Sequence, residues 1–447
     1  MKRLISILLA TLMILALAAP VVYAEHARYN ADGKRIITIA TWYEIFYDSR
    51  HTDIYDDAGL SDPLVAQMRL DNLRAVEEKY NVEIRFENFT WDGVQESIST
   101  SIMAGAPDAD VYMADVQFGI PAALSNLGVT LQEMGLEDTD IFGDQNVMKY
   151  LSIPGIDSNV LFTPSPVTAL RTYVLAFNMD MILENNLENP QDLYDRGEWT
   201  WDKWREYLTI LTKDTTGDGE IDVYGWSGYW TNMLTSLLFS NGTTIAGGPQ
   251  ETLTSTATIE VLEFIYNLYN VDRTARPWDE SGWEINNNLY AEGKSAFWVG
   301  ADWLFNAQGG GPERPLPFEI GVVPWPRGPQ GDDATNFFSV PSDNYYFIPR
   351  GVEDPRFVYD VMYDYFHWYG DDLVLAGDLE WSMDCYMTER NFEYAEMMAR
   401  RITVDLWDNL GVASGILGPL IAGEKTPAQF AEENKLLFQD ALNNYFR

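Results

Sequence analysis

The segment DTTGDGEIDVYGWSG, residues 214–228, contains side chains that could bind a metal ion. Measured against a calcium loop, five of its residues fall at ligand positions: Asp214, Thr216, Asp218, Glu220 and Asp222. Gly219 falls at the tight turn of such a loop, but the twelfth position, where a bidentate glutamate is expected, is Gly225. Two interpretations therefore stay open: a structural calcium ion whose shell is completed by other oxygens, or an Asp/Gly turn that joins a helix to a strand.

The aromatic residues that follow suggest a different chemistry. Trp226 and Trp230 come directly after the acidic turn. Sugars present apolar C–H faces and a rim of hydroxyl groups, so sugar sites combine flat aromatic rings with carboxylates, amides and arginine. For any one of the fifteen tryptophans, the alternative is packing in the core. Which of them could contact a sugar depends on the elements that carry them.

Strands and helices alternate in the first part of the chain. RIITIAT (35–41), VEIRFENF (82–89) and DADVYMAD (108–115) read as strands, and apolar residues keep helical spacing over 64–80. This order predicts an α/β layered domain with a largely parallel sheet.

A second part of the chain has the same character. YVLAFN (173–178), KSAFWVG and FEIGVVPWP are predicted strands, and TIEVLEFIYNLY is a predicted amphipathic helix. Three N-cap residues mark helix starts: Thr200, Asp354 and Thr426, the last two followed by proline. Gln429 completes a capping box with Thr426. A chain of this length exceeds what one hydrophobic core usually supports, so we expect two domains.

The N-terminus has the layout of a secretory signal peptide. A basic pair (2–3) precedes an apolar run (4–18), and a small residue, Ala24, ends the segment. We expect residues 1–24 to be removed; because the apolar run is short for a membrane span, a retained anchor helix is the lesser alternative. The only cysteine, Cys385, lies far from this point, so no lipid-bearing cysteine and no intramolecular disulfide are expected. The predicted location is the periplasm or the extracellular space.

The charge of the chain excludes some classes of partner. A formal net charge of −39 repels nucleic acid and anionic membranes. The three histidines have no zinc-site spacing, and the chain lacks a G-x-S-x-G elbow, an H-E-x-x-H motif and a Walker phosphate loop. A carboxylate pair for glycoside hydrolysis can always be proposed among 68 acidic residues, so the presence of such a pair does not distinguish an enzyme from a binding protein. We expect a protein that is not an enzyme.

Five segments lie in a familiar order along the chain: YVLAFNMDMILENN, GEWTWDKWREYLTILTKDTTGDGEIDVYGW, YAEGKSAFWVGADW, FEIGVVPWPRGP and GVASGILGPLIAGEKTPAQFAEE. Together they resemble the extracellular solute-binding proteins of ABC importers, in the sugar-binding family that includes maltose-binding protein. The resemblance implies the two-lobed periplasmic-binding-protein fold of type II, in which each lobe is a mainly parallel sheet flanked by helices and hinge segments join the lobes.

The resemblance also implies where the chain divides. The first lobe would hold 25–160 plus 337–390, and the second 161–336 plus 391–447. The chain would cross between the lobes near three segments: 159–163, 335–338 and 388–391.

The function that the resemblance implies is capture of a carbohydrate, an oligosaccharide, in the cleft between the lobes. Hinge closure follows, and the ligand is delivered to the permease subunits of an ABC transporter. No cofactor is required, with structural calcium left open; the expected state is a monomer with no nucleic-acid partner. A secreted glycoside hydrolase and a binder of a non-sugar solute are the alternatives.

Candidate ligand-binding residues have two sources. Trp42, Tyr43 and Glu44 follow the first strand at its carboxyl end, where open α/β sheets bind ligands. The others are implied by the resemblance: Asp115, Gln117, Arg171, Trp226, Trp230, Asp302, Trp303, Tyr345 and Trp381. The alternatives are core packing for the tryptophans, a loop cap for Asp115 and a salt bridge between lobes for Arg171.

Overall fold

A computed structural model of the chain describes the following residues: 28–44, 47–56, 62–136, 158–162, 173–277, 289–301, 305, 316–332, 344–370, 372, 375, 379–401, 405–410, 412 and 418–446. For residues 379–382 it describes the backbone alone.

The described strands form two sheets. They are β1 (Arg28–Tyr29), β2 (Arg35–Thr41), β3 (Val82–Asn88), β4 (Val111–Ala114), β5 (Val174–Asn178), β6 (Tyr224–Trp226), β7 (Ser295–Gly300), β8 (Ile320–Val323) and β9 (Tyr345–Phe347).

Helices separate most of these strands. They are α1 (Pro63–Tyr80), α2 (Trp91–Ser97), α3 (Val116–Leu124), α4 (Met179–Glu184), α5 (Pro190–Asp195), α6 (Trp201–Leu211), α7 (Trp230–Ser240), α8 (Thr256–Asn270), α9 (Pro355–Phe366), α10 (Leu379–Tyr386), α11 (Glu389–Ala399), α12 (Gly418–Ile421) and α13 (Pro427–Tyr445). A π turn (Ile98–Ile102) continues α2, and 3-10 turns occur at Ile54–Asp56 and Leu406–Asp408.

The first sheet contains β1, β2, β3, β4 and β9. β3 runs parallel to β2 along its whole length, from the pair Arg35–Val82 to the pair Thr41–Asn88, and β4 is also parallel to β2. The parallel pairing follows from the intervening helices, which return the chain to the same end of the sheet. β9 comes from much later in the chain and pairs with β4 in the antiparallel direction. The strands predicted at 35–41, 82–89 and 108–115 are confirmed as a mainly parallel group.

The second sheet has the order β6, β7, β5, β8, and the prediction that it is mainly parallel is wrong. β7 and β8 lie on either side of β5 and both run antiparallel to it; β6 and β7 are parallel. Alternation of strand and helix predicts parallel strands only where each helix brings the chain back to the end at which the previous strand began. That condition does not hold for β5 and its neighbours.

The three predicted N-caps begin helices as expected. The hydroxyl of Thr200 accepts a hydrogen bond from the backbone N–H of Lys203, and the carboxylate of Asp354 accepts one from Phe357. At α13, Thr426 and Gln429 form both halves of the predicted capping box. Local hydrogen bonding to the first free N–H groups therefore defines where α6, α9 and α13 start.

The segment around α10 and α11 packs with the second sheet. The side chain of Asn391 accepts from the N–H of Val322 and donates to the carbonyl of Ile320, both in β8 and both at 2.9 Å. Cys385 and Tyr386 are buried in the same apolar cluster as Trp298 and other residues of the second sheet. Residues 385 and 386 therefore pack with the second sheet, and the crossing between the lobes at 388–391 stays a prediction.

The segment at the first predicted crossing packs with the first sheet. The backbone groups of Phe162 and Tyr346 in β9 exchange two hydrogen bonds, of 2.8 and 2.9 Å. Leu131 donates its N–H to the carbonyl of Asn159 at 2.9 Å. The crossing predicted at 335–338 lies outside the described residues. No helix in the described part of the chain is long and apolar enough to span a membrane.

Candidate ligand-binding site

One edge of the first sheet collects the ends of three parallel strands. Because β2, β3 and β4 run in the same direction, the residues after Thr41, Asn88 and Ala114 emerge at the same edge. The segment Trp42–Glu44 follows β2, and Trp91 follows β3 as the first residue of α2. Such an edge is where open α/β sheets place ligands.

An aromatic cluster occupies this edge. The ring centroids of Trp42 and Trp91 are 5.1 Å apart, and each lies edge-on to Phe118 of α3, at 5.7 and 5.1 Å. Phe118 is buried and Trp42 is partly buried, whereas Trp91 is 38% exposed. The cluster therefore holds Trp91 in a fixed position with open surface. Trp91 is not among the ligand contacts predicted from the sequence, although it follows β3 much as Trp42 follows β2.

Tyr43 is fixed at the same edge by hydrogen bonds. Its hydroxyl accepts a bond of 2.7 Å from the side-chain amide of Asn344, and its carbonyl accepts one of 3.0 Å from the hydroxyl of Thr41. Asn344 precedes β9, whose first residue pairs with Ala114 at the end of β4. Glu44 is exposed beside them.

Asp115 and Gln117 begin helix α3 at this edge. The Asp115 carboxylate accepts a hydrogen bond of 2.8 Å from the backbone N–H of Gln117, so the loop-cap interpretation of Asp115 describes its local role. Burial raises the pKa of Asp115 to about 6. The Gln117 side chain is exposed, and its amide donates a hydrogen bond of 3.0 Å to Oδ2 of Asp408.

Asp408 lies in the 3-10 turn Leu406–Asp408, which packs against α7 and the segment that follows it. Its neighbour Asp405 accepts hydrogen bonds from the N–H groups of Ile245 and Ala246, at 2.5 and 2.7 Å. The indole of Trp407 donates to the hydroxyl of Thr235 in α7 at 3.0 Å. Asp408 is thereby held rigidly opposite Gln117. Nothing in its local sequence indicated this placement.

The carboxyl group of Asp115 affects that of Asp408. Burial raises the pKa of Asp408 to about 6, and the neighbouring carboxylates of Asp115 and Asp405 add to this rise. Burial also raises the pKa of Asp405 to about 6, although three backbone N–H groups oppose the rise. Carboxyls with perturbed pKa values at a junction of structural units are typical of functional sites.

The corresponding edge of the second sheet carries Tyr173, Tyr229 and Trp230. Val174 pairs with Gly300, so Tyr173, just before β5, lies at the end where β7 finishes. β6 is parallel to β7, so Tyr229 and Trp230 follow it at that end. Trp230 is partly buried at the start of α7, and burial raises the pKa of Tyr229 well above its usual range.

Two predicted ligand contacts lie in the core instead. Trp226 has no exposed surface, because its ring packs against Trp204 of α6 and Trp325, with centroids 5.8 and 5.7 Å away. Tyr345 is 1% exposed within the first sheet. For Trp226, the alternative of core packing is the one that the structure shows.

Four predicted contacts fall where nothing can be stated about the side chain. Arg171, Asp302 and Trp303 lie outside the described residues. Trp381 lies in the backbone of α10, with its side chain not described.

The acidic loop at 214–222 has the geometry of a turn. The carboxylate of Asp214 accepts hydrogen bonds from the N–H groups of Gly217 and Gly219, at 2.6 and 2.8 Å. Asp222 accepts from both the N–H and the hydroxyl of Thr215, at 2.9 and 2.6 Å. These bonds hold the pKa values of Asp214 and Asp222 below their usual range.

Other side chains of the predicted calcium set also form local hydrogen bonds. Thr216 bonds to Asp214, and the Asp218 carboxylate accepts the N–H of Glu220. In the described residues, which include the whole loop, no three acidic, histidine or cysteine side chains are grouped so that they could hold a metal ion. Gly217 and Gly219 have φ angles of 78° and 92°, which glycine adopts without strain.

The fold and the site together define a class of protein. The chain forms two β-sheets, each flanked by helices. Gln117, at one edge of the first sheet, donates a hydrogen bond to Asp408, which belongs to the part of the chain that packs around the second sheet. This is the architecture of a two-lobed binding protein. Residues 57–360 match the model of the bacterial extracellular solute-binding protein family, and the chain belongs to that family.

Solved structures with the same fold include three with different ligands. An ABC substrate-binding protein from Listeria monocytogenes in complex with cycloalternan has a TM-score of 0.65 and 14% identity, covering 91% of this chain and 99% of that one. A maltose/maltodextrin-binding domain from Bdellovibrio bacteriovorus bound to maltotriose has a TM-score of 0.60 and 15% identity, covering 91% and 100%.

A protein from Mycobacterium tuberculosis in complex with glycerophosphocholine has a TM-score of 0.62 and 15% identity, covering 85% of this chain and 96% of that one. At these identities the likeness shows the two-lobed fold. No curated protein sequence matches the chain.

Proposed function

We propose that this protein captures an oligosaccharide between its two lobes outside the cytoplasm and delivers it to the permease of an ABC transporter. The observation that carries the proposal is the edge of the first sheet, where the exposed ring of Trp91 lies in one cluster with Trp42, and α3 presents Asp115 and Gln117. Asp408, from the second lobe, accepts a hydrogen bond from the side chain of Gln117.

The chemistry of this edge suits a sugar. The aromatic rings offer flat apolar surface for the C–H faces of a pyranose, and the carboxyl and amide groups accept and donate hydrogen bonds to its hydroxyls. A ligand that touches residues of both lobes binds the closed state more tightly than the open one, so it drives hinge closure.

The ligands of the similar structures support a saccharide, and one of them represents the alternative of a non-sugar solute. Two of the similar structures hold oligosaccharides, and one holds glycerophosphocholine, a phosphodiester. The carboxyl groups of Asp115 and Asp408 would repel a phosphate group, which favours the saccharide over the non-sugar solute.

The same carboxyl pair keeps the glycoside hydrolase alternative testable, since a pair of carboxyl groups is what hydrolysis of a glycosidic bond requires. The family consists of solute-binding proteins, and we propose that this member likewise does no catalysis. We further propose a monomeric protein, exported by the segment 1–24 to the periplasm and not attached to lipid.

The experiment is calorimetric titration of the purified protein with neutral oligosaccharides, among them maltotriose, with chromatography of the sugar afterwards. One saccharide should bind and be recovered intact. Trp91→Ala should weaken the binding of that saccharide about two- to tenfold, since stacking on an aromatic ring contributes on the order of 0.5–1.5 kcal/mol. Tyr55→Ala is the matched control, because Tyr55 is 74% exposed and lies outside the cluster. Cleavage of the sugar would favour the hydrolase, and no saccharide binding at all would exclude the proposed ligand class.

A further inference from the structure

We propose that Asp115 and Asp408, one from each side of the junction between the lobes, select uncharged oligosaccharides and reject saccharides that carry carboxylate or phosphate groups. The inference rests on the proposed function, to which it adds the charge class of the ligand. It also adds a binding residue, Asp408, on the second lobe.

The two carboxyl groups have few partners within the protein. Oδ1 of Asp115 accepts the N–H of Gln117, and Oδ2 of Asp408 accepts the Gln117 side-chain amide. In the part of the chain that the structure describes, neither carboxyl has a lysine, arginine or histidine within ion-pair distance. Partly buried carboxyls are normally paired with a cation or with several donors.

The second oxygen atom of each carboxyl group determines which chemical groups a ligand must supply. Oδ2 of Asp115 and Oδ1 of Asp408 have no hydrogen-bond donor among the described residues. A sugar hydroxyl supplies a donor to each, and it adds no charge. A uronate or phosphate group supplies acceptors only and adds a negative charge beside two carboxylates, which is unfavourable at reduced dielectric.

Gln117 makes the selection depend on both lobes. Its exposed side chain is the group that bridges to Asp408, and its backbone N–H caps Asp115. A ligand hydroxyl that takes the place of the Gln117 amide on Asp408 reaches Asp115 at the start of the same helix. The nearby ring of Trp91 then covers one face of the sugar. The carboxyl pair is thus more than an acidic patch, because the Gln117 amide bonds to Asp408, and the exposed ring of Trp91 packs on Phe118 of the helix that Asp115 caps.

The test compares matched saccharides with matched variants. Thermal-shift and calorimetric titrations use neutral oligosaccharides and the uronates of the same sugars and lengths, against wild type, Asp115→Asn, Asp408→Asn and the control Asp440→Asn. Asparagine still caps α3 and still accepts the Gln117 amide, so both variants should fold, which circular dichroism verifies. Asp440 is an exposed acidic residue of α13.

Wild type should bind the best neutral saccharide at least on the order of 100-fold more tightly than its uronate. Each of the two asparagine variants should narrow that ratio about tenfold or more, and Asp440→Asn should leave it unchanged. A wild type that binds the uronate equally well, or a ratio unaltered in both variants, overturns the selection while leaving the sugar-binding function intact. If neither neutral nor acidic saccharides bind, the proposed function fails, and the selection fails with it.

Discussion

Replacing Asp408 with asparagine should stabilise the protein at neutral pH and leave its stability unchanged in acid. The pKa of Asp408 is about 6 in the folded protein, against an ordinary value of 3.8. A group with a raised pKa binds protons more tightly when folded, so its contribution to stability is fully present below pH 4 and is lost as the pH rises through 6. The amide that replaces the carboxyl group would carry no charge at any of these pH values.

The size of the effect follows from the shift in pKa. A rise of about two units corresponds to about 3 kcal/mol, at about 1.4 kcal/mol per unit. Asp408 is partly exposed, and part of its shift comes from Asp115 and Asp405, so we expect about 1–2 kcal/mol at pH 7.5. Urea unfolding of wild type and Asp408→Asn at pH 7.5 and pH 4, followed by tryptophan fluorescence, measures the difference.

Two further variants sharpen this measurement. Asp440→Asn removes an exposed carboxylate of α13 and should change stability little at either pH. In Asp115→Asn/Asp408→Asn the gain should be smaller than the sum of the single gains, because the Asp115 carboxylate contributes to the raised pKa of Asp408 and this contribution can be removed only once. If Asp408→Asn is less stable than wild type at pH 7.5, or equally stabilised at both pH values, the argument from an uncompensated buried charge is refuted.

Two more predictions concern parts of the fold away from the carboxyl pair. Asn391→Ala should lower the free energy of unfolding in urea by about 2–4 kcal/mol, because it leaves backbone groups of Val322 and Ile320 in β8 without partners. Asn434→Ala on α13 is the control, and an equal loss of stability in both variants would contradict the reasoning. Calcium or a chelator should leave the thermal midpoint unchanged, since backbone N–H groups already occupy the Asp214 carboxylate. A drop in the midpoint on chelation would instead show a metal loop.

Local signals in the sequence predicted most individual elements. The strands at 35–41 and 173–178 and the helices that follow Thr200, Asp354 and Thr426 need only apolar periodicity and a capping side chain, both of which are readable from a few neighbouring residues. Strand direction in the second sheet was not predictable in this way. It depends on the end of the sheet at which the chain enters, a property of residues far apart in sequence.

The candidate site was predictable to the extent that strand ends locate it. Trp42 and Asp115 follow parallel strands and lie at one edge, as expected. Burial was the missing information for Trp226, because a tryptophan two residues into a strand looks the same whether it faces a helix or a cleft. Asp408 was missed because Gln117, its partner, lies far from it along the chain.

The carboxyl pair is best understood as a cost in stability that a ligand offsets. A chain selected for stability alone could place asparagine or a cation at Asp115 or Asp408, since asparagine caps helices equally well. Two partly buried carboxyls without a described counter-charge instead leave acceptor oxygens and negative charge where the lobes meet. The predictions are therefore linked: Asp408→Asn should gain stability and lose discrimination between neutral and acidic saccharides. A variant that gained stability and kept its discrimination would separate the charge of the site from its function.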